Sequence, residues 1–334
     1  MIVNSPYSGK PMRVVYEDDM WEFRGEKYPY VHIAFRDDEH DEQFTTTASD
    51  TVCYEQVTNQ YRAKYGIPYT DEIVAVRQRY GISAAKMSLI LGIGINQYRL
   101  YEQGEVPNVS NGRMIRSIMN PKVMLEMVES SKNELSASEY DKITGRVKTV
   151  IAESDSYKLR QYETKRIFTV PRGAENGYAQ TSLDRLKNIM LYILNRCDDV
   201  WCTKMNKLLF YVDFLSYRER GMAMTGLSFR AIDFGPVPER WDRVYSEFAE
   251  VNQELRPVGD FVGSVLTTTE KADVSLLSEV ELNILDTVCI SLGDKNSREL
   301  SRISHDEKAW IAHHEHHERI PFSEAFTIKA VFPL

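Results

Sequence analysis

The segment 204–217, KMNKLLFYVDFLSY, leaves this chain few folding options. Met205, Leu208, Leu209, Val212 and Leu215 recur at helical spacing, so one face of a helix must be buried. Phe210, Tyr211, Phe214 and Tyr217 widen that face, and Lys204, Lys207 and Asp213 supply the polar remainder. On this pattern Lys204 and Lys207 are expected to stand exposed. After Gly221 the pattern changes to alternation, with Leu227, Phe229 and Ala231 two apart as in a short half-buried strand. Gly235-Pro-Val-Pro238 then stops regular structure, because proline removes donors and glycine permits a tight bend.

A helix reading K-x-x-K-L-L-aromatic-aromatic-x-D, followed by T-G-L-x-aromatic-x-A and then G-P-V-P, resembles the Panacea domain of bacterial toxin–antitoxin systems and related adaptor proteins. The resemblance covers roughly the last half of the chain. It implies a mostly helical binding module that neutralises a toxin by direct contact. The contact residues it suggests are Lys204, Lys207, Tyr211, Asp213, Phe229, Gly235 and Pro236.

With 334 residues the chain is long enough for two or three domains, and its 43% hydrophobic and 27% charged content is that of a soluble globular protein. A net charge of −8 argues against a surface that embraces nucleic acid everywhere, while leaving room for one local patch. No run approaches the ~18 apolar residues that span a bilayer. The N-terminus has neither the basic nor the apolar region of a secretory signal. Four scattered cysteines make no disulfide framework, so a reducing cytoplasm is expected.

In residues 1–68, the stretches 20–24 and 28–35 carry the alternation of short strands, with 25–27 suited to a hairpin connection. Ser5, Ser8, Asp37 and His40 fall where the ligands of two zinc knuckles would stand. A structural zinc site wants thiolates and imidazoles, and serine hydroxyls are poor substitutes. The expectation is therefore a degenerate zinc-ribbon-like β module, free of metal, with an acidic surface loop.

Residues 69–130 read as a run of helices. The stretch 71–81 has an acidic start and a terminal glycine, and 83–92 has Ser83 as N-cap and Gly92 as stop. A third helix begins near Gly94. Two short helices across a glycine-containing turn form a helix-turn-helix, and the stretch 82–107 is similar to the Xre-type DNA-binding domain of Mqs-type antitoxins, which also carry an N-terminal zinc module. The Y-E-Q-G ending at Tyr101–Gly104 matches that family, whereas Leu100 stands where the family carries an arginine. Residues expected at operator DNA are Ser83, Asn96, Gln97 and Arg99, the amides suited to adenine and the guanidinium to guanine or phosphate. Seven Lys/Arg against six Asp/Glu between 71 and 130 is a weak balance for gripping phosphates. An inherited fold used for packing or dimerisation is the competing reading, and DNA is favoured.

Residues 131–180 read as a connector with one further helix near 138–153. In 181–334, Ser182 caps a helix carrying Leu186, Ile189, Met190, Ile193 and Leu194. Residues 239–248 are expected to be helical, 255–275 strand-rich, and 278–290 a helix opened by a Ser278/Glu281 capping box. One closing helix is expected over 297–310.

Asp233-Phe-Gly235 spells a kinase triplet without any companion motif and is read as chance. The histidines between 313 and 317 lack a third ligand and are read as a solvated helix end. No nucleophile–base–acid set or phosphate loop emerges. Neither catalytic residues nor a cofactor are assigned.

The fold expected is thus mainly α with small β parts: a β module at 1–68, a five-helix helix-turn-helix domain at 69–130, a connector at 131–180 and a mostly helical Panacea-like domain at 181–334. The function expected is that of a type II antitoxin, a cytoplasmic homodimer. It would hold a toxin, by resemblance often alarmone-synthetase-like, and regulate its own operon through operator DNA. The alternatives are a DNA-binding regulator or a proteolysis adaptor without a toxin.

Overall fold

A helix ringed by aliphatic and aromatic side chains has to be enclosed, and the helix Cys202–Arg220 is buried without a gap from Lys204 through Arg218. A computed structural model describes residues 3–153, 164–259 and 261–332, and shows a mainly helical chain with three small antiparallel sheets. Its contacts divide it into two compact units, Met1–Val57 with Thr164–Leu334, and Thr58–Glu163.

In the first unit, strands β1 (Arg13–Phe23) and β2 (Glu26–Asp37) form a hairpin that turns with Phe23 opposite Glu26. Strand β3 (Glu42–Phe44) pairs with β2 only over Phe35–Asp37. That leaves the middle of β2 with an unpaired edge, and helix α1 (Thr47–Tyr65) closes it: the Gln56 amide accepts from Val31 N at 2.9 Å and donates to Val31 O at 3.0 Å. The central helix ends at Gly221 with φ +67, where a Cβ would lie 3.0 Å from Glu55 Cβ and 3.2 Å from Val52 O. Tyr16 of β1 meets Phe326 with ring centroids 5.4 Å apart. These approaches seat the N-terminal sheet and the start of α1 on the C-terminal part of the chain.

Around the central helix pack the helices Leu183–Leu194 and Glu279–Leu292, the hairpin of β4 (Phe229–Ile232) with β5 (Gly235–Pro238), and the 3₁₀ turns of Phe322–Thr327. Strands β6 (Asn252–Val258) and β7 (Phe261–Thr267) form the strand-rich excursion expected from sequence, and Ser278 and Glu281 form the expected capping box.

Two expectations need correction. Residues 239–248 are a series of turns, not a helix: Val244, Tyr245 and Phe248 are buried, and the Tyr245 hydroxyl donates to Asn206 Oδ1. Glu239 is held by Ser228, Arg230 and Arg319, and those side-chain anchors replace helical bonding. The closing helix is broken into Ser297–His305 and Lys308–Ile311, because Glu307 between them turns inward to accept backbone N–H groups from Lys329 and Ala330, each at 2.9 Å.

The second unit holds α2 (Thr70–Tyr80), α3 (Ala84–Ile90), α4 (Gln97–Glu102), α5 (Val109–Ser117), α6 (Pro121–Ser130) and α7 (Ala137–Ala152). Ser83 caps α3 by accepting from Lys86 N, and Gly81 ends α2 in a left-handed conformation. The core takes Ile73, Met87, Tyr98, Ile115 and Met124, and α7 adds Ile143, Val147 and Val150. Buried Tyr98 and Tyr80 point their hydroxyls at the carbonyls of Ile73 and Ile118, at 2.8 and 2.7 Å.

Candidate functional site

Lys204, Lys207, Asp213 and Arg218 each satisfy backbone groups that would otherwise be stranded in the core. Lys204 Nζ donates to the carbonyls of Asp198 and Gly293, both at 2.7 Å, and so ties two loops to the start of the central helix. Lys207 Nζ donates to Pro236 O at 3.1 Å. Asp213 Oδ1 accepts from Met224 N and Thr225 N at 2.8 Å each, and its Oδ2 accepts from the Thr225 hydroxyl. The Tyr211 hydroxyl reaches Glu307 Oε1 at 3.4 Å, where that carboxylate already binds the C-terminal segment. Arg218 continues the pattern by donating to the carbonyls of Ile328 and Val331.

The remaining motif positions serve shape. Phe229 fills an aromatic cluster with Phe210 and Phe214, its ring centroid 5.6 and 6.0 Å from theirs. Gly235 has φ +95, and a Cβ there would lie 2.6 Å from Ser304 Oγ and 3.0 Å from Lys207 Nζ. Pro236 is buried opposite Ala231 in the β4–β5 pair.

All seven residues expected at a partner, Lys204, Lys207, Tyr211, Asp213, Phe229, Gly235 and Pro236, are therefore buried. The expectation that the two lysines stand exposed is corrected: Lys204 is 2% and Lys207 1% accessible. The cause is that other elements cover every side of the helix, where the periodicity had suggested one free face. Burial lowers the Lys207 pKa to about 7. It raises that of Asp213 to about 6, against the hydrogen bonds from Thr225 and Met224.

Above Lys207 the molecule presents a surface that periodicity did not reveal. Phe234, at the β4–β5 turn, is 71% accessible, and Ile311 is 54% accessible. Trp310 lies between His305 and His314 with centroids 4.0 and 4.1 Å apart and interplanar angles of 17° and 20°. Its indole donates to Ile232 O at 2.8 Å, which fixes this ladder against the turn that carries Phe234. His317 Nε2 lies 2.8 Å from Asp233 Oδ1 on the same turn. His305 Nε2 is buried with no hydrogen-bond partner among the described residues, and burial, then Lys207 and His314, lower its pKa. No local sequence signal announced this surface: Glu307, between His305 and Trp310, turns inward to the N–H groups of Lys329 and Ala330, which breaks the helix where the two rings stack.

In the other unit, Asn96 and Arg99 are exposed, next to Ile95 at 82% accessibility, and their side chains make no hydrogen bond or ion pair among the described residues. Gln97 donates to Glu105 Oε1 at 2.9 Å, and Ser83 is occupied as a cap. Lys86 pairs with Glu139 and Arg77 with Glu102.

The four knuckle positions also converge in part. Ser5 Oγ donates to Asp37 Oδ2, His40 Nδ1 lies 2.8 Å from the same oxygen, and Ser8 N donates to Ser5 Oγ at 3.2 Å. The hydrogen bond from Ser5, with those from His40 and two backbone N–H groups, holds the Asp37 pKa down at about 2. The carboxylate thus ties together a loop whose polar atoms are satisfied by one another. Among the described residues no group of three or more His, Cys, Asp or Glu is placed to hold a metal ion.

Residues 205–311 match the family model described as Antitoxin SocA-like, Panacea domain. The matched segment takes in most of the central helix, the β4–β5 hairpin and Trp310, and over these residues the chain is similar to the Panacea domain of an antitoxin family. That description suggests an antitoxin role. No curated protein and no solved structure matches the chain. No described helix is long and apolar enough to cross a membrane.

Proposed function

We propose that this chain is the antitoxin of a type II pair and neutralises its cognate toxin by direct contact through the Panacea half. The observation that carries the reading is the family match over 205–311. In this reading the seven buried motif residues do not touch the toxin. They hold the β4–β5 turn and the bend at Glu307, and Phe234, Trp310 and Ile311 make the contact. Support comes from the exposure of Phe234 and Ile311: large apolar side chains at a surface are what protein interfaces use as anchors.

The helix pair α3–α4 would add autoregulation, with Asn96 and Arg99 at operator DNA, and a homodimer would match a palindromic operator. Gln97 would first have to leave Glu105. The toxin is proposed to be of the alarmone-synthetase-like kind, as the family resemblance suggests, and the protein to act in the cytoplasm.

The test is co-expression of the full chain with the product of the neighbouring gene. Growth arrest by that product alone, relieved by the chain together with a complex that survives purification, supports the proposal. A neighbour that is harmless, or that the chain fails to bind, counts against it.

A further inference from the structure

Between the loop that enters the central helix and the loop that leaves Glu279–Leu292 lies a cleft of about 630 Å³. Its base is Lys204, whose ammonium has given two of its three donors to the carbonyls of Asp198 and Gly293. Asp198 and Asp199 line the cleft and are exposed, and neither carboxylate makes a hydrogen bond or ion pair among the described residues. The other lining charges cancel in pairs, Arg196 with Asp286 at 3.1 Å and Lys295 with Asp294 at 2.9 Å. Ile290, also lining the cleft, is 66% accessible.

We infer that this cleft binds a peptide segment of a partner protein that carries an arginine or lysine beside an apolar residue. Charge complementarity selects this occupant. With the Lys204 ammonium counted, the two unpaired carboxylates leave the lining net negative, which favours a cation over an anion, and a chain of net charge −8 reinforces that preference. A metal ion is the poorer occupant, since no group of three or more ligating side chains gathers there among the described residues. The remaining Lys204 donor can be met by a peptide carbonyl next to the basic side chain. Ile290 offers an apolar contact that a free cation would leave unused. The cleft is also of the size that encloses a small ligand or a few residues of peptide.

The inference rests on reading the chain as a protein-binding module, yet its test needs no toxin. The full chain is labelled at isoleucine methyls, the Ile290 signal is assigned with Ile290→Val, and acetyl-arginine methylamide is titrated in. The Ile290 signal is expected to move saturably, and acetyl-glutamate methylamide is expected to leave it in place. In Asp198→Asn with Asp199→Asn the affinity should fall by about threefold to tenfold, the scale of losing two exposed ion pairs. Unchanged methyl signals elsewhere will show that this variant is folded, and added salt should weaken binding to the unaltered chain as well. No movement of Ile290, equal movement with the acidic probe, or full affinity in the double variant would each overturn the inference. Failure here leaves neutralisation through Phe234 standing, and loss of neutralisation in a Phe234 variant leaves the cleft standing.

Discussion

Lys207 shows how differently a residue reads in a sequence and in a fold. In the sequence it is a lysine on a helix, and lysines usually keep their charge in water. In the structure it lies in the core with one carbonyl acceptor, and its pKa falls to about 7. Between about 7 and the ordinary 10.5 the unfolded chain holds a proton on this amine that the folded chain has released. Stability should therefore rise with pH across that window. Urea unfolding near pH 7 and near pH 10 should show a gain on the order of 2–4 kcal/mol from this group, absent in Lys207→Met. Equal pH dependence in the two proteins would mean that Lys207 keeps its charge in the core. Asp213 and Lys204 were legible as motif positions but not as core residues. Their acceptors and donors, at Thr225, Asp198 and Gly293, are backbone groups that no residue identity announces.

Elements were easier to read than their partners. The capping box at Ser278, the cap at Ser83 and the left-handed stop at Gly81 are local chemistry, and they stand where spacing put them. The break at Glu307 was not legible, because its cause is the distant pair of N–H groups at Lys329 and Ala330. The turns over 239–248 escaped for the same reason: the periodicity of Val244, Tyr245 and Phe248 is real, but Asn206 and Arg319 decide the backbone. At the start of α4, Asn96 and Arg99 have side chains without partners among the described residues. Asn96→Ala with Arg99→Ala should abolish operator binding in a gel-shift assay and leave toxin neutralisation intact. Arg99→Ala alone should lower the slope of log affinity against log salt by about 1 if that guanidinium meets a phosphate. Loss of neutralisation together with DNA binding would count against separable functions.

At the scale of the whole molecule, the resemblance to an antitoxin domain was legible because it is carried by residues that build the scaffold. What a scaffold motif leaves unstated is where the partner lands. The buried motif accounts for a fixed β4–β5 turn and a bent closing segment, and the exposed side chains on them, Phe234 and Ile311, carry the proposed contact. Growth rescue by Phe234→Ala with Ile311→Asp, co-expressed with the neighbouring gene's product, tests this most directly. Exposed positions of this kind usually change stability by no more than about 0.5 kcal/mol, so unfolding should match that of the unaltered chain. A normally folded variant that no longer rescues growth or retains the toxin on purification is the expected result. Full rescue by this variant would contradict it and move the neutralising contact to another surface of the chain.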